Sequence, residues 1–240
     1  MRFHYRTRLF AKVRGNMLSL QDYLGIIRHR ENARRIYTTI YSCEFAGFLD
    51  GGFQRVGCML HPELNKGMDM RENSFYGREI CDGHFCPSYQ KLESHEVRVI
   101  LAVLDDWYLY GGVITDIDFI KTFFKIIQDR LGDSLDVKVV ESRPRLMEIF
   151  KRYCELKTSW PFKDTTRPRF GKYYFVGEDY DIARIDYVSI DAPVSLYDPI
   201  FVSLSSSFKS REELEAANRL MDSLIEEFCE EYTGTDRENH

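Results

Sequence analysis

The sequence predicts a mainly α fold (α+β class), in which a helical body carries an irregular metal-binding loop region and a small β-hairpin. Three observations predict it. Apolar residues recur at helical spacing along much of the chain, glycines and prolines interrupt any long period over 43–92, and four of the six cysteines fall within 43–86. A chain of 240 residues is near the upper limit for one domain. We therefore predict a single domain, 1–240, with a metal-binding cysteine module embedded at 41–92.

Two helical segments are predicted ahead of the loop region. Ser19 is a suitable N-cap for the first, because its hydroxyl can accept a hydrogen bond from a backbone N–H in the first turn. The apolar residues that follow it on one side of the helix are Leu20, Tyr23, Leu24 and Ile27. A second segment over about 31–42 leads directly into Cys43, so the first predicted metal ligand lies at a helix end.

Three consecutive amphipathic helices are predicted after the loop region. Their N-caps are Ser94, Thr115 or Asp116, and Ser142. Their apolar stripes are Val97, Ile100, Leu101, Leu104 and Tyr108; Ile117, Ile120, Phe124, Ile127 and Leu131; and Leu146, Ile149, Phe150 and Tyr153. Gly111 and Gly132 are predicted to end the first two, and Pro144 lies in the first turn of the third. Together they indicate a helical bundle.

The remainder of the chain predicts a hairpin and a long final helix. Residues rich in β-branched and aromatic side chains around Gly177-Glu178-Asp179 predict a small β-hairpin near 172–190. Ser210 and Glu213 match a capping box. The apolar stripe that follows is Leu214, Ala217, Met221, Leu224, Ile225 and Phe228.

The strongest functional signal is the segment 43–86, which contains four cysteines and which we call the cysteine window. Structural zinc is bound by four soft donors in a tetrahedron, and thiolates satisfy it at about 2.3 Å. The predicted ligands are Cys43, Cys58, Cys81 and Cys86. Gly83 and Gly57 supply backbone freedom beside them, and the segment GFQRVGCML has the pattern of a short strand that ends in a ligand-bearing turn.

Two points of the metal chemistry stay open in the sequence. His61 and His84 lie between the cysteines, and each is either a replacement ligand or a neighbour that donates a hydrogen bond to a thiolate. Four cysteines also suit a [4Fe–4S] cluster. Zinc is favoured, because the intervals between the cysteines are long and the compact cysteine runs of ferredoxins are absent. Cys154 and Cys229 lie on apolar helical stripes and are read as packing residues.

One stretch of the window resembles a known family. The segment VGCMLHPELNKGMDMRENSFYGREICDGHFCPSY, over 56–89, is similar to the YkgJ-like zinc- or iron-chelating cysteine-cluster proteins. The resemblance implies metal chelation by Cys58, Cys81 and Cys86, with Arg71 in the intervening turn and Cys43 upstream. It covers about 45 residues, and the tight group of cysteines with which that family usually begins has no counterpart here.

Cellular location and partners follow from composition. No apolar run approaches the length of a membrane span, and no signal-type apolar stretch is present near residue 1, so we expect a cytoplasmic protein without a membrane partner. In a reducing compartment, clustered thiols favour metal binding over disulfide formation. Residues 1–35 carry nine arginines and lysines against two acids, whereas 211–240 carry ten acids against three arginines. These are two solvated charged faces, or the basic end contacts phosphates.

The sequence thus favours a metal-binding protein in which zinc organises an irregular loop region. One alternative is an enzyme that uses the same ion or cluster, with Arg71, His61 and His84 around a substrate. The charged loop residues are equally suited to pairing with one another; they are Asp69, Arg71, Glu72, Tyr76 and Arg78. The other alternative is a nucleic-acid-binding module that uses the basic N-terminal segment with its interleaved aromatic residues Phe3, Tyr5 and Phe10.

Overall fold

The computed structural model describes residues 2–31, 43–53, 56–74, 76–85, 88–166, 169–170, 172–176 and 179–234. The fold is mainly α, as the sequence predicts. The chain divides into two compact units, Met1–Cys86 and Pro87–His240, which we call unit 1 and unit 2. Within the described ranges, no helix has both the length and the apolar character that crossing a membrane requires. The single domain over 1–240 and its module at 41–92 stay predictions.

Unit 1 consists of two helices, a two-stranded sheet and a series of short turns. Its elements are α1 (Arg2–Arg14), α2 (Leu20–Glu31), β1 (Ala46–Phe48), β2 (Val56–Cys58), 3-10 turns at Pro62–Leu64 and Arg71–Asn73, α3 (Gly77–Ile80) and a π-helical turn at Cys81–Phe85. The predicted cap of α2 is confirmed, because the backbone N–H of Asp22 donates to the Ser19 hydroxyl at 3.0 Å. The helical segment predicted at 31–42 lies outside the described residues beyond Glu31.

The apolar core of unit 1 is small and aromatic at its centre. Phe10, Tyr23 and Phe45 are fully buried, and the rings of Tyr23 and Phe45 stack with centroids 5.3 Å apart. The other buried members are Leu9, Leu24, Ile27, Met59 and Leu60. These residues pack α1 and α2 against the segments that carry the cysteines.

Unit 2 contains the longer helices. Its elements are α4 (Ser88–Lys91), α5 (Ser94–Val103), α6 (Trp107–Ile114), α7 (Ile117–Leu131), α8 (Val137–Ser142), α9 (Pro144–Ser159), β3 (Arg169–Phe170), β4 (Tyr173–Val176), β5 (Asp179–Ile182), α10 (Asp198–Ser203) and α11 (Arg211–Thr233). Helices α7, α9 and α11 form its centre. Every apolar residue predicted for the α11 stripe is buried.

The first predicted helix of the body is wrong in its extent. Instead of continuing to Gly111, α5 ends at Val103 and α6 begins at Trp107. The break lies at Asp106, whose carboxylate accepts a hydrogen bond from the backbone N–H of Leu109 at 3.4 Å and so begins a new helix. The stripe is also rotated, because Leu101 is 58% exposed.

Three helix starts correct or confirm the predicted caps. The N-cap of α5 is Glu93, one residue before Ser94, and it forms a capping box with Glu96. Asp116 caps α7, as predicted, by accepting from the backbone N–H of Phe119 at 3.2 Å. The third start is displaced, because α8 occupies the residues up to Ser142, so that α9 begins at Pro144.

The predicted hairpin is present but shorter, and a third strand accompanies it. Strands β4 and β5 pair antiparallel from Tyr173 opposite Ile182 to Val176 opposite Asp179, and β3 pairs with the other edge of β4. The chain over 183–190 forms no strand. The β character of this segment therefore ends earlier than its composition indicates.

Candidate metal centre

The β1–β2 sheet sets the positions of two predicted ligands. Cys58 ends β2 and pairs with Ala46 at the start of β1. The backbone N–H of Ala46 donates to the carbonyl of Cys43 at 3.1 Å, so Cys43 lies in a turn directly before β1. Two residues distant in sequence are thus brought to the same end of one small sheet.

A cross-strand glycine pair allows this sheet to pack closely. Gly47 lies opposite Gly57 in the register. A Cβ atom on Gly47 would lie 2.6 Å from the Met59 sulfur and 2.9 Å from the Thr7 hydroxyl, and one on Gly57 would lie 2.5 Å from a methyl group of Leu49. Larger residues would push the hairpin away from α1, because side chains do not approach a Cβ this closely.

Arg6 ties the Cys43 turn to both N-terminal helices. It projects from α1 with only 2% of its surface exposed, and it donates to the carbonyl of Cys43 at 2.7 Å and to that of Ala46 at 3.3 Å. Its remaining donors form a two-point ion pair with Glu31 of α2. The sequence interpretation treated Arg6 as part of a solvated basic segment, and only its apolar neighbours Phe3, Leu9 and Phe10, at helical spacing, hint that it faces inward.

The thiol of Cys43 lies within electrostatic range of two other predicted ligands. Burial raises its pKa well above the usual thiol value, the neighbouring Cys58 sulfur raises it further, and Cys81 acts in the same direction. The Cys43 thiol therefore resists ionisation, because it is buried and because two other thiols are near it. A cation among them would remove that resistance, since metal ions bind the thiolate form.

Cys81 is positioned by a polar cluster on its own side of the unit. Its buried sulfur lies 3.2 Å from the Ser74 hydroxyl. The buried guanidinium of Arg71 forms a two-point ion pair with Asp69, at 2.9 and 2.7 Å, and a third contact with Asp82 at 2.8 Å. Arg71 therefore links the loop before it to the turn that contains Cys81.

This cluster favours the interpretation that the loop charges pair with one another. Arg71 holds the pKa of the Asp69 carboxyl well below its usual range, and Arg78 lies 3.3 Å from the same carboxylate. Tyr76 is buried and Glu72 is exposed. Because two carboxylates already contact Arg71, its geometry gives no support to a substrate-binding role.

The remaining predicted donors are placed as follows. His61 caps the 3-10 turn at Pro62–Leu64, where its Nδ1 accepts from the backbone N–H of Glu63 at 3.4 Å. His84 lies in the π-helical turn at Cys81–Phe85. Cys86 lies outside the described residues. In unit 2, Cys154 is fully buried and Cys229 packs against the core, which agrees with their interpretation as packing residues.

Within the described ranges, no three His, Cys, Asp or Glu side chains are grouped closely enough to hold a metal ion. The four-cysteine site, which includes Cys86, therefore stays a prediction. Thiols are ligands that zinc prefers, and the Cys43 thiol lies within electrostatic range of Cys58, of Cys81 and of the buried guanidinium of Arg6.

Comparison of the chain with protein-family models, with curated proteins and with solved structures finds no match. The resemblance of residues 56–89 to the YkgJ-like proteins accordingly stays a prediction.

Proposed function

We propose that unit 1 is a zinc-binding unit in which Cys43, Cys58, Cys81 and Cys86 hold one ion that organises the irregular chain between them. The β1–β2 pairing supports this proposal, because it brings Cys43 and Cys58 to the same end of one small sheet. Cys81 supports it further, because its thiol lies near enough to Cys43 to raise the pKa of the Cys43 thiol.

The segment between β2 and Cys81 would need an ion because it has little regular structure of its own. Between β2 and Cys81 the described chain forms only short turns and one four-residue helix, so few backbone hydrogen bonds are repetitive. Ordering such irregular chain costs conformational entropy, and few regular backbone hydrogen bonds offset that cost. A structural zinc ion contributes folding free energy directly, because its ligand set does not exist in the unfolded chain.

The protein's own residues would prepare the site from two sides. Arg6 fixes the carbonyl of Cys43, and Arg71, through Asp82, fixes the turn of Cys81. When bound, the ion supplies a tetrahedral cross-link between these sides. In this proposal the centre is structural, and we assign no reaction to it.

Elemental analysis of anaerobically purified protein tests the proposal. We expect one zinc per chain and a colourless protein, and a brown protein with stoichiometric iron would instead indicate the cluster alternative. Cys58→Ser should lower the zinc content at least several-fold and destabilise unit 1, because three thiolates hold the ion less firmly. The matched control is Cys229→Ser, another partly buried cysteine, which should keep the metal content of the parent.

The decisive readout is metal content measured together with unfolding. If Cys58→Ser and Cys81→Ser both keep the zinc and the thermal midpoint of the parent, the four-cysteine site is wrong. Chelator treatment gives a second check, because removal of the ion should increase hydrogen exchange over the turns of 58–85 and leave α7, α9 and α11 protected.

A further inference from the structure

The surface of α1 and α2 carries several exposed arginines and lysines. Among the residues that the structure describes, no acid lies within ion-pair distance of Arg8, Lys12, Arg14 or Arg30. Arg8 and Lys12 lie on one face of α1, on the side of Tyr5 and Arg30, whereas Arg14 lies about 200° round the helix from Lys12. We call Arg8, Lys12 and Arg30 the basic surface. The two acids of the same helices are engaged elsewhere, Asp22 with Ser19 and Glu31 with Arg6.

Five cations on the long helices of unit 2 form ion pairs. Carboxylates lie within 3.0 Å of Arg98, Lys121, Lys125, Arg130 and Arg145. Pairing of this kind leaves little net field at the surface, whereas an unpaired group of cations attracts a polyanion and speeds its association. The cations of the basic surface can therefore meet a polyanion, whereas these five cations of unit 2 already contact acids.

Aromatic rings accompany the cations of the basic surface. Arg8 and Lys12 are one helical turn apart on α1, roughly 6 Å along the axis. The guanidinium of Arg30 lies 3.9 Å from the ring centroid of Tyr5, and that of Arg8 lies 5.9 Å from the centroid of the partly exposed Phe53. The Phe53 ring also contacts the rings of His4 and Phe48, with centroids 4.7 and 5.4 Å away, and stays partly exposed. Cations next to partly exposed rings are a combination that binds unpaired nucleic-acid strands, because phosphates meet the charges and bases stack on the rings.

Helix α1 is poorly suited to binding a lipid surface. An amphipathic helix binds a membrane by inserting its apolar face. The apolar side of α1 is already used, since Phe3, Leu9 and Phe10 are buried within unit 1. What α1 presents outward is charge, and the partner that matches charge without insertion is a soluble polyanion.

We propose that unit 1 binds single-stranded nucleic acid, with its phosphates on the basic surface and a base on the ring of Phe53. This interface differs from the one that sequence alone suggests. Phe3 and Phe10 cannot stack on bases because they are buried, and Arg6 cannot contact a phosphate because it serves the Cys43 turn. The proposal does not depend on a bound metal.

Fluorescence anisotropy with a labelled twenty-nucleotide oligo-uridine and the full-length protein tests this interface. Single strands give a slope of about −0.7 per neutralised phosphate in a plot of log affinity against log salt, so the three cations predict a slope of about −2. Arg8→Gln/Lys12→Gln should bind about 10-fold more weakly at 50 mM salt and reduce that slope to about −0.7. The matched control Lys138→Gln/Lys209→Gln removes two exposed lysines of unit 2 and should bind like the parent.

A second variant separates the stacking ring from the charges. Phe53→Leu keeps an apolar side chain but removes the aromatic face, so we expect about 10-fold weaker binding with an unchanged salt slope. Circular dichroism matching the parent establishes that each variant is folded. The proposal is overturned if the oligonucleotide does not bind at 50 mM salt, if the control pair loses as much affinity as Arg8→Gln/Lys12→Gln, or if only anionic phosphatidylserine vesicles bind.

Discussion

Unit 2 is held together by long amphipathic helices around a large apolar core, whereas unit 1 is held together by short elements that buried arginines connect. In unit 2 the rings of Phe123, Phe150, Tyr153 and Phe228 bring α7, α9 and α11 together. Unit 1 also has an aromatic centre, formed by Phe10, Tyr23 and Phe45, but its core is smaller, and the contacts of Arg6 and Arg71 connect the turns around it. Apolar area stabilises without directional requirements, but an arginine stabilises only while each of its partners is in place.

Both units bury an ion pair, and the two pairs differ in their surroundings. Lys157 of unit 2 contacts Asp116 at 2.5 Å and the carbonyl of Ser203 at 3.1 Å, beside a large apolar core. Arg6 of unit 1 contacts Glu31 and two carbonyls beside a much smaller core. Loss of one pair therefore removes a small share of the interactions in unit 2 and a large share of those in unit 1.

The largest expected effect is a cavity in the core of unit 2. Phe123→Ala removes a fully buried ring that contacts side chains of both α9 and α11, and we expect a loss of about 4 kcal/mol in the free energy of unfolding. Urea unfolding followed by circular dichroism measures it. A loss below about 1 kcal/mol would mean that this ring does not join the helices as described.

The next effect concerns the buried arginine of unit 1. Arg6→Met keeps most of the side-chain volume but leaves Glu31 without its partner and two carbonyls without donors. We expect a loss of about 3 kcal/mol that is confined to unit 1. Hydrogen exchange measures it locally, because the amides of Met59 and Ala46, which bond to Phe45 and Cys43, should lose protection while those of α7 and α9 keep it.

A double variant separates the ion pair from the carbonyl contacts. Arg6→Met/Glu31→Gln removes the unpaired carboxylate, so part of the lost stability should return. The rest should stay lost, because the carbonyls of Cys43 and Ala46 still have no donor from residue 6. Full recovery in the double variant would show that Arg6 does not organise the Cys43 turn.

The contrast between the units also explains what the sequence could predict. Periodicity identifies an element whose buried face is apolar, so the stripes of α9 and α11 were correctly predicted, whereas that of α7 omitted the buried Phe119 and Phe123. Periodicity cannot identify a face that is buried around an arginine, since Arg6 in isolation has the pattern of a solvated cation. For Arg71, the sequence interpretation that the loop charges pair with one another agrees with its contact with Asp69, but it did not include Asp82.

The candidate site was predictable in part for a related reason. Cysteine spacing predicted Cys43, Cys58, Cys81 and Cys86 as ligands, and the structure places Cys58 and Cys81 near enough to Cys43 to raise the pKa of its thiol. The four-cysteine site itself stays a prediction, because the described residues include no group of three candidate ligands. The supports of these residues were not predictable, because the contacts of Arg6 with Cys43 and Glu31 join residues 37 and 25 positions apart. Such contacts depend on the packing of α1 against α2, which no local pattern encodes.

The smallest expected effect tests the corrected face of α5. Sequence periodicity placed Leu101 on the apolar stripe together with Ile100 and Leu104, which are buried, but the structure exposes Leu101 and buries Val99 and Val103. Leu101→Gln should therefore change the free energy of unfolding by less than about 0.5 kcal/mol, since exposed helix positions tolerate a good helix former. Val99→Ala, on the buried side, should cost about 2 kcal/mol from the loss of two buried carbon groups.

Urea unfolding of these two variants gives a direct comparison within one helix. If Leu101→Gln is the more destabilising of the two, the predicted stripe through Leu101 describes the buried face of α5 better than the stripe through Val99 and Val103 does. The break after Val103 bears on α6, because α6 begins a new helical period from the Asp106 cap. The face of α5 depends on its own side chains, and Val99, Ile100 and Val103 enter the core.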